Sequence, residues 1–159
     1  MGTRGKYFGY GLSGVDDKGR VSVPARLRAT LEANSAGRTL FVSRHPVAPC
    51  LMAYDRLFHD ELPDFLLRLA EEEGQGKDRK PTQSELARAA GVSDELPFDG
   101  SGRFVLPAFM RRTGKIETKA LFVGALDIVE IWNPEIALTA DCVPAATREV
   151  AEFLLEGGK

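Results

Sequence analysis

Two arginines carry the chemistry for which this sequence can be read. Arg20 and Arg103 each stand four residues after an aspartate, Asp16 and Asp99, and directly after a glycine, Gly19 and Gly102. A guanidinium is planar, permanently charged and forked, so it can engage guanine O6 and N7 together or grip phosphate oxygens. The aspartate would repel a phosphate. Its place in a short Asp-x-x-Gly turn suits it instead to holding the turn and aiming the arginine. Lys18 offers a phosphate contact that ignores base sequence, as do Arg4, Lys6 and Arg28. The plainer reading is a pair of turn salt bridges. Exposed pairs of that kind contribute only about 0–1 kcal/mol, which gives little reason to build one twice.

The turns sit inside a longer repeat. Asp16-Asp17-Lys18-Gly19-Arg20-Val21-Ser22-Val23-Pro24-Ala25-Arg26-Leu27-Arg28 is echoed by Asp99-Gly100-Ser101-Gly102-Arg103-Phe104-Val105-Leu106-Pro107-Ala108-Phe109-Met110-Arg111. Both copies hold D-x-x-G-R, an apolar-x-apolar step, Pro-Ala and a closing Arg. Leu40-Phe41-Val42 and Leu121-Phe122-Val123 follow, then Leu51-Met52-Ala53-Tyr54 and Ile128-Val129-Glu130-Ile131-Trp132. Self-similarity of this kind marks a tandem duplication of one small module. Each module alone has a marginal core at about 50–60 residues, so the halves are expected to pack on each other or on neighbouring copies.

Arg20 to Val23 alternates polar and apolar residues, the period of a half-buried strand. Pro24 and Pro107 suit the first position of a helix. Each unit therefore reads as hairpin, short helix, hairpin, with Tyr7 to Val15 as the first strand. Asp55 to Glu73 is amphipathic through Leu57, Phe58, Leu62, Phe65, Leu66 and Leu69, with a kink or restart expected at Pro63. Residues 74–81 are polar and rich in helix breakers, and Thr82 to Glu85 makes a capping box. A last helix, about Val143 to Leu155, carries Val150, Phe153 and Leu154 on its apolar side. The expected division is 7–57 as a first module, 58–92 as a helical connector containing the 74–81 linker, 93–137 as a second module and 138–159 as a C-terminal helix.

Charge supports an anionic partner for the repeated turns. The 159-residue chain has a net charge of −2, yet residues 1–28 sum to +4 and residues 100–115 to another +4. All acidic residues but Asp16, Asp17 and Glu32 fall in 55–99 and 116–159. The positive charge thus lies on the repeated motifs. No apolar run approaches the roughly 20 residues of a membrane span. The basic N-terminus lacks the apolar stretch of a signal peptide, and Cys50 and Cys142 suggest no disulfide framework. A cytoplasmic protein is expected.

At these motifs the chain resembles the MraZ family of bacterial transcriptional regulators. Asp16 to Arg28 is similar to that family's first signature and Asp99 to Pro107 to its second. Cys50 to Tyr54, Val123-Gly124 and Val129 to Trp132 match its further stretches, so the resemblance covers about residues 7–137. It implies a mixed α/β, mainly β, fold of two AbrB-like (SpoVT-AbrB) swapped-hairpin modules forming a pseudo-dimeric barrel, plus helices. It also implies a ring-like homo-oligomer that binds double-stranded promoter DNA at repeated short boxes and represses its own operon in the nucleoid. Asp16, Lys18, Arg20, Arg28, Asp99, Arg103, Arg4 and Lys6 are the expected DNA contacts. The first motif has an extra acid, Asp17, and Ser101 stands where the first copy has Lys18.

Other signals point elsewhere and are weaker. Gln83 to Ser93 looks like the opening of a helix-turn-helix, but Asp94 to Phe98 leads into a strand rather than a recognition helix. His45, His59 and Cys50 match no zinc spacing, and no G-x-S-x-G, P-loop or dinucleotide fingerprint is present. No enzyme, cofactor, metal, small-molecule substrate or membrane partner is expected. The alternative function is an AbrB-fold, antitoxin-like partner-binding oligomer.

Overall fold

Val21 and Val23 in the first repeat, and Phe104 and Leu106 in the second, are buried, while Arg20 and Arg103 beside them are exposed. This alternation turns the repeat into matching strands in a computed structural model that describes residues 4–72 and 83–158. The strands are β1 (Tyr10–Gly14), β2 (Arg20–Ser22), β3 (Thr39–Arg44), β4 (Leu51–Tyr54), β5 (Ser93–Pro97), β6 (Arg103–Val105), β7 (Lys119–Ala125) and β8 (Ile128–Trp132). The helices are α1 (Ala25–Ser35), α2 (Arg56–Glu72), α3 (Gln83–Gly91), α4 (Ala108–Thr113), α5 (Pro134–Thr139) and α6 (Ala145–Leu155). The fold is mixed α/β, built mostly on antiparallel strands. The 74–81 linker and the Thr82 end of the capping box lie outside the described residues.

The pairing of these strands corrects the simple hairpin reading. β1 leaves β2 after the turn and pairs with β7 of the other half, Leu12 opposite Leu121. β5 likewise joins β3, Leu40 opposite Leu96. β2 pairs with β6 as a separate two-stranded ribbon. The larger sheet runs β1-β7-β8-β4-β3-β5, an order that reads the same when the halves are exchanged. A half-length module would have only a marginal core by itself. Here each half's outer strand completes the other's sheet, and one core joins Val21, Leu27 and Leu40 to Phe104, Met110 and Phe122. The sheet stays open, with β1 and β5 at its edges. The expected closed barrel is therefore not formed among the described residues, because β2 and β6 pair with each other and leave both edges without a further strand.

Smaller expectations shift for local reasons. β1 begins at Tyr10, and Tyr7 makes only an isolated bridge to Leu126, with Gly9 between them at φ 102°. Pro63 sits inside α2 without ending it. The stripe α2 buries is Phe58, Leu62 and Leu66, spaced four apart; Leu57, one step round the helix, is exposed. On α6, Val150 and Leu154 pack inward beneath Trp132 and Ala137, whereas Phe153 is half exposed, with its ring lying over Gly158.

Candidate nucleic-acid interface

Each Asp-x-x-Gly-Arg run closes a tight turn by the same bonds. The Gly19 amide donates to the Asp16 carbonyl at 2.9 Å, and the Gly102 amide to the Asp99 carbonyl at 2.9 Å. Asp16 Oδ1 accepts from the amides of Lys18 (3.0 Å) and Arg20 (2.9 Å); Asp99 Oδ1 accepts from Ser101 and Arg103, both at 2.9 Å. The other carboxylate oxygen takes the arginine Nε, at 2.5 Å for Arg20 and 3.0 Å for Arg103. Both carboxyls lie below the usual aspartate range, first because of the arginine amide and then, in Asp16, because of the guanidinium. The acid therefore fixes the loop and aims the arginine. It occupies Nε alone, leaving the outer Nη groups without a partner among the described residues.

The glycines lock the turns to the opposite half. Gly19 and Gly102 both hold φ 83°, a region that costs a residue with a Cβ about 1–3 kcal/mol. The Gly19 carbonyl accepts from the Leu106 amide at 2.8 Å, and the Gly102 carbonyl from the Val23 amide at 2.9 Å. A methyl group on Gly19 would lie 2.7 Å from both the Leu106 carbonyl oxygen and Arg111 Nε; one on Gly102 would lie 2.8 Å from the Val23 oxygen and 3.1 Å from Arg28 Cδ. Gly19→Ala is therefore expected to destabilise the fold by about 1–3 kcal/mol, read from urea unfolding. An effect below about 0.5 kcal/mol, ordinary for a surface change, would show that the contact can relax.

The ribbon gives the arginines a common direction. Arg20 pairs opposite Val105 and Ser22 opposite Arg103, with the buried pair Val21 and Phe104 between them facing inward. Arg20 and Arg103 thus share the outer face as diagonal neighbours, a relation that sets residues about 7–8 Å apart. Their side chains are 54% and 63% exposed. Lys18 and Ser101 occupy equivalent exposed turn positions. B-DNA's major groove, about 12 Å wide, admits a two-stranded ribbon of this kind.

Three of the basic residues singled out in the sequence are held by internal contacts. Arg28 lies against Gly102, as Arg111 lies against Gly19 with its Nε donating to the Leu106 carbonyl at 3.0 Å. Lys6 Nζ pairs with Asp127 at 2.6 Å. The Arg4 side chain is only 10% exposed and reaches the fully buried Asp55 at 2.9 Å. Sequence reasoning missed the clamping by Arg28 and Arg111, although both close the repeat at the same position as each other. The histidines and the buried cysteine also have structural roles. His45 Nδ1 accepts from the Val47 and Ala48 amides, burial pushing its pKa down to about 4. His59 stacks on Phe41 at 4.2 Å. Burial pushes the Cys50 thiol up, away from a reactive thiolate.

No family model matches the chain. Individual proteins do. It is 32% identical over 151 residues to the transcriptional regulator MraZ of Alcanivorax borkumensis, covering 93% of this chain and 98% of that protein. Over 124 residues it is 38% identical to the MraZ of Rhodospirillum rubrum, covering 76% of this chain and 74% of the relative. The chain belongs to the MraZ family of transcriptional regulators. MraZ from Azotobacter vinelandii, 34% identical over 121 residues, gives the same match across 76% of this chain. These MraZ relatives are named for regulating transcription rather than for a catalysed reaction. No helix among the described residues is long and apolar enough to cross a membrane.

Proposed function

We propose that this MraZ-family protein regulates transcription by binding double-stranded promoter DNA through the outer face of the β2–β6 ribbon. The observation that carries the reading is the pair of matching turns that aim Arg20 and Arg103 from one ribbon face. In this reading the guanidiniums meet guanine edges in the major groove, Lys18 meets phosphate, and Asp16 and Asp99 keep the arginines in place. Arg4, Lys6 and Arg28 serve the fold that presents them. The exchange of β1 and β5 supports treating the halves, 7–57 and 93–137, as a swapped-hairpin pseudo-dimer joined through 58–92 and followed by 138–159. A ring of such chains would place many ribbons along repeated short boxes and convert modest single contacts into tight binding through effective concentration. The target is the promoter of the protein's own operon, in the nucleoid, and the effect is repression.

Fluorescence anisotropy tests this with a duplex from upstream of the gene and a scrambled duplex of equal length. The native duplex is expected to bind more tightly. Its log affinity is expected to fall with log salt by roughly 0.9 per phosphate neutralised. Equal, weak affinity for both duplexes at every salt concentration would reject sequence-specific regulation.

A further inference from the structure

Exchanging the two halves superimposes their strand order but not their grooves. Beside the first half, the end of α1, the β4–α2 junction and the β7–β8 turn enclose a groove that the chain fills itself. Arg4 enters it and reaches both Asp55 and Asp127, while Asn34 bonds the backbone nitrogen and oxygen of Gly5 at 3.0 and 2.9 Å. The equivalent groove lies among the end of α4, the β8–α5 junction and the β3–β4 connection. No described segment of the chain enters it, and a cavity of about 320 Å³ remains.

The charge of this second groove is reversed. Asn133 stands where Asp55 stands in the first; each caps the helix that follows, Asp55 by accepting from the Phe58 amide and Asn133 from the Glu135 amide. The cavity walls carry Arg44 and Lys115 and no acidic residue, with Thr113 beside them and Cys50 and Ile136 on the apolar side. Neither cation has an ion-pair partner among the described residues. The acid behind the wall, Glu130, accepts from Trp132 Nε1 at 3.0 Å and faces His45 Nε2 at 3.6 Å. Lys115 holds φ 55° just past α4, where its amide and that of Ile116 cap the Arg112 and Arg111 carbonyls. Glycine is the usual residue at such a cap. Asn133 Nδ2 fixes this backbone by donating to the Lys115 carbonyl at 2.7 Å.

We propose that this cavity binds a small molecule bearing an oxyanion, a phosphate or carboxylate, with Arg44 and Lys115 as its charged contacts. Its volume suits a small ligand, and its walls set polar groups beside apolar ones, a combination that can orient a small charged molecule. Arg44 provides the forked donor and Lys115 the mobile point charge. The Thr113 hydroxyl is a further donor at the rim, and Ile136 and Cys50 receive a short carbon body. The site is separate from the turn arginines, so the inference does not depend on DNA binding.

Isothermal titration calorimetry at constant ionic strength tests it with inorganic phosphate, glycerol 3-phosphate and citrate. One saturable site per chain is expected for at least one probe. Affinity should fall at least tenfold in an Arg44→Gln, Lys115→Gly variant, whose glycine suits the local backbone, and should remain in an Arg20→Ala, Arg103→Ala variant. Tighter binding of glycerol 3-phosphate than of inorganic phosphate would assign an organic phosphate; the reverse order would assign the free ion. Absence of saturable binding to all three probes overturns the proposal. So does binding that survives the first variant or disappears in the second.

Discussion

Replacing Arg20 and Arg103 together by alanine is expected to abolish preferential binding to promoter DNA while the protein remains folded. Each side chain is more than half exposed, and its partner aspartate is exposed as well. Losing such pairs costs the fold about 0–1 kcal/mol apiece. A guanidinium paired with a guanine edge is worth about 1–3 kcal/mol of discrimination, so either single change should lose roughly 5- to 150-fold. Lys18→Ala should behave differently, weakening native and scrambled duplexes alike and reducing the salt slope by about one. If the double variant kept its preference for the native duplex, the reading face would have to lie elsewhere.

Asp55→Ala is expected to produce the largest loss of stability of any single change considered, about 3–5 kcal/mol, because it removes the buried partner of Arg4, which then keeps only Asp127, and leaves Tyr7 and Asn34 without their shared acceptor. Asp55 is fully buried and accepts from Arg4, from Tyr7 Oη at 2.5 Å, from Asn34 at 2.9 Å and from the Phe58 amide at 2.7 Å. Burial acts to raise its pKa, but these donors, Arg4 foremost, outweigh it and hold the carboxyl below its ordinary value. Burial pushes the Tyr7 hydroxyl up, so it remains a donor throughout the neutral range. With the folded value depressed, the network's stabilisation is complete above the unfolded value of about 3.9. It is lost as pH falls through the folded value. Urea midpoints measured downward from pH 5 should therefore fall in the wild type. In Asp55→Asn the midpoint should start lower and depend less on pH in that window. An unchanged midpoint at pH 7 in Asp55→Ala would mean that the network relaxes without cost.

The parts of this architecture written in local residues were the readable ones. Asp16-x-x-Gly19-Arg20 and its second copy specify their turns through bonds within five residues, and the alternation around Val21 and Phe104 specifies which ribbon face is wet. Strand exchange was not readable in the same way. β1 and β5 carry no local mark of their partners, and a turn that could close a hairpin instead sends β1 to β7. Arg4 illustrates the same limit. A basic residue near basic neighbours resembles a phosphate contact until the fold brings Asp55, distant in sequence, beneath it. Arg28 and Arg111 repeat because of the fold's symmetry, each covering the other half's glycine, and the sequence contains no signal that separates this duty from DNA contact.

Dimethyl sulfate protection tests the ribbon-in-groove claim most directly, since the reagent methylates guanine N7 in the major groove and adenine N3 in the minor groove. On DNA upstream of the gene, the protein is predicted to protect guanine N7 at regularly spaced boxes, and the Arg20→Ala, Arg103→Ala variant is predicted to protect none. Protection confined to adenine N3, or guanine protection that persists in the variant, would contradict the account.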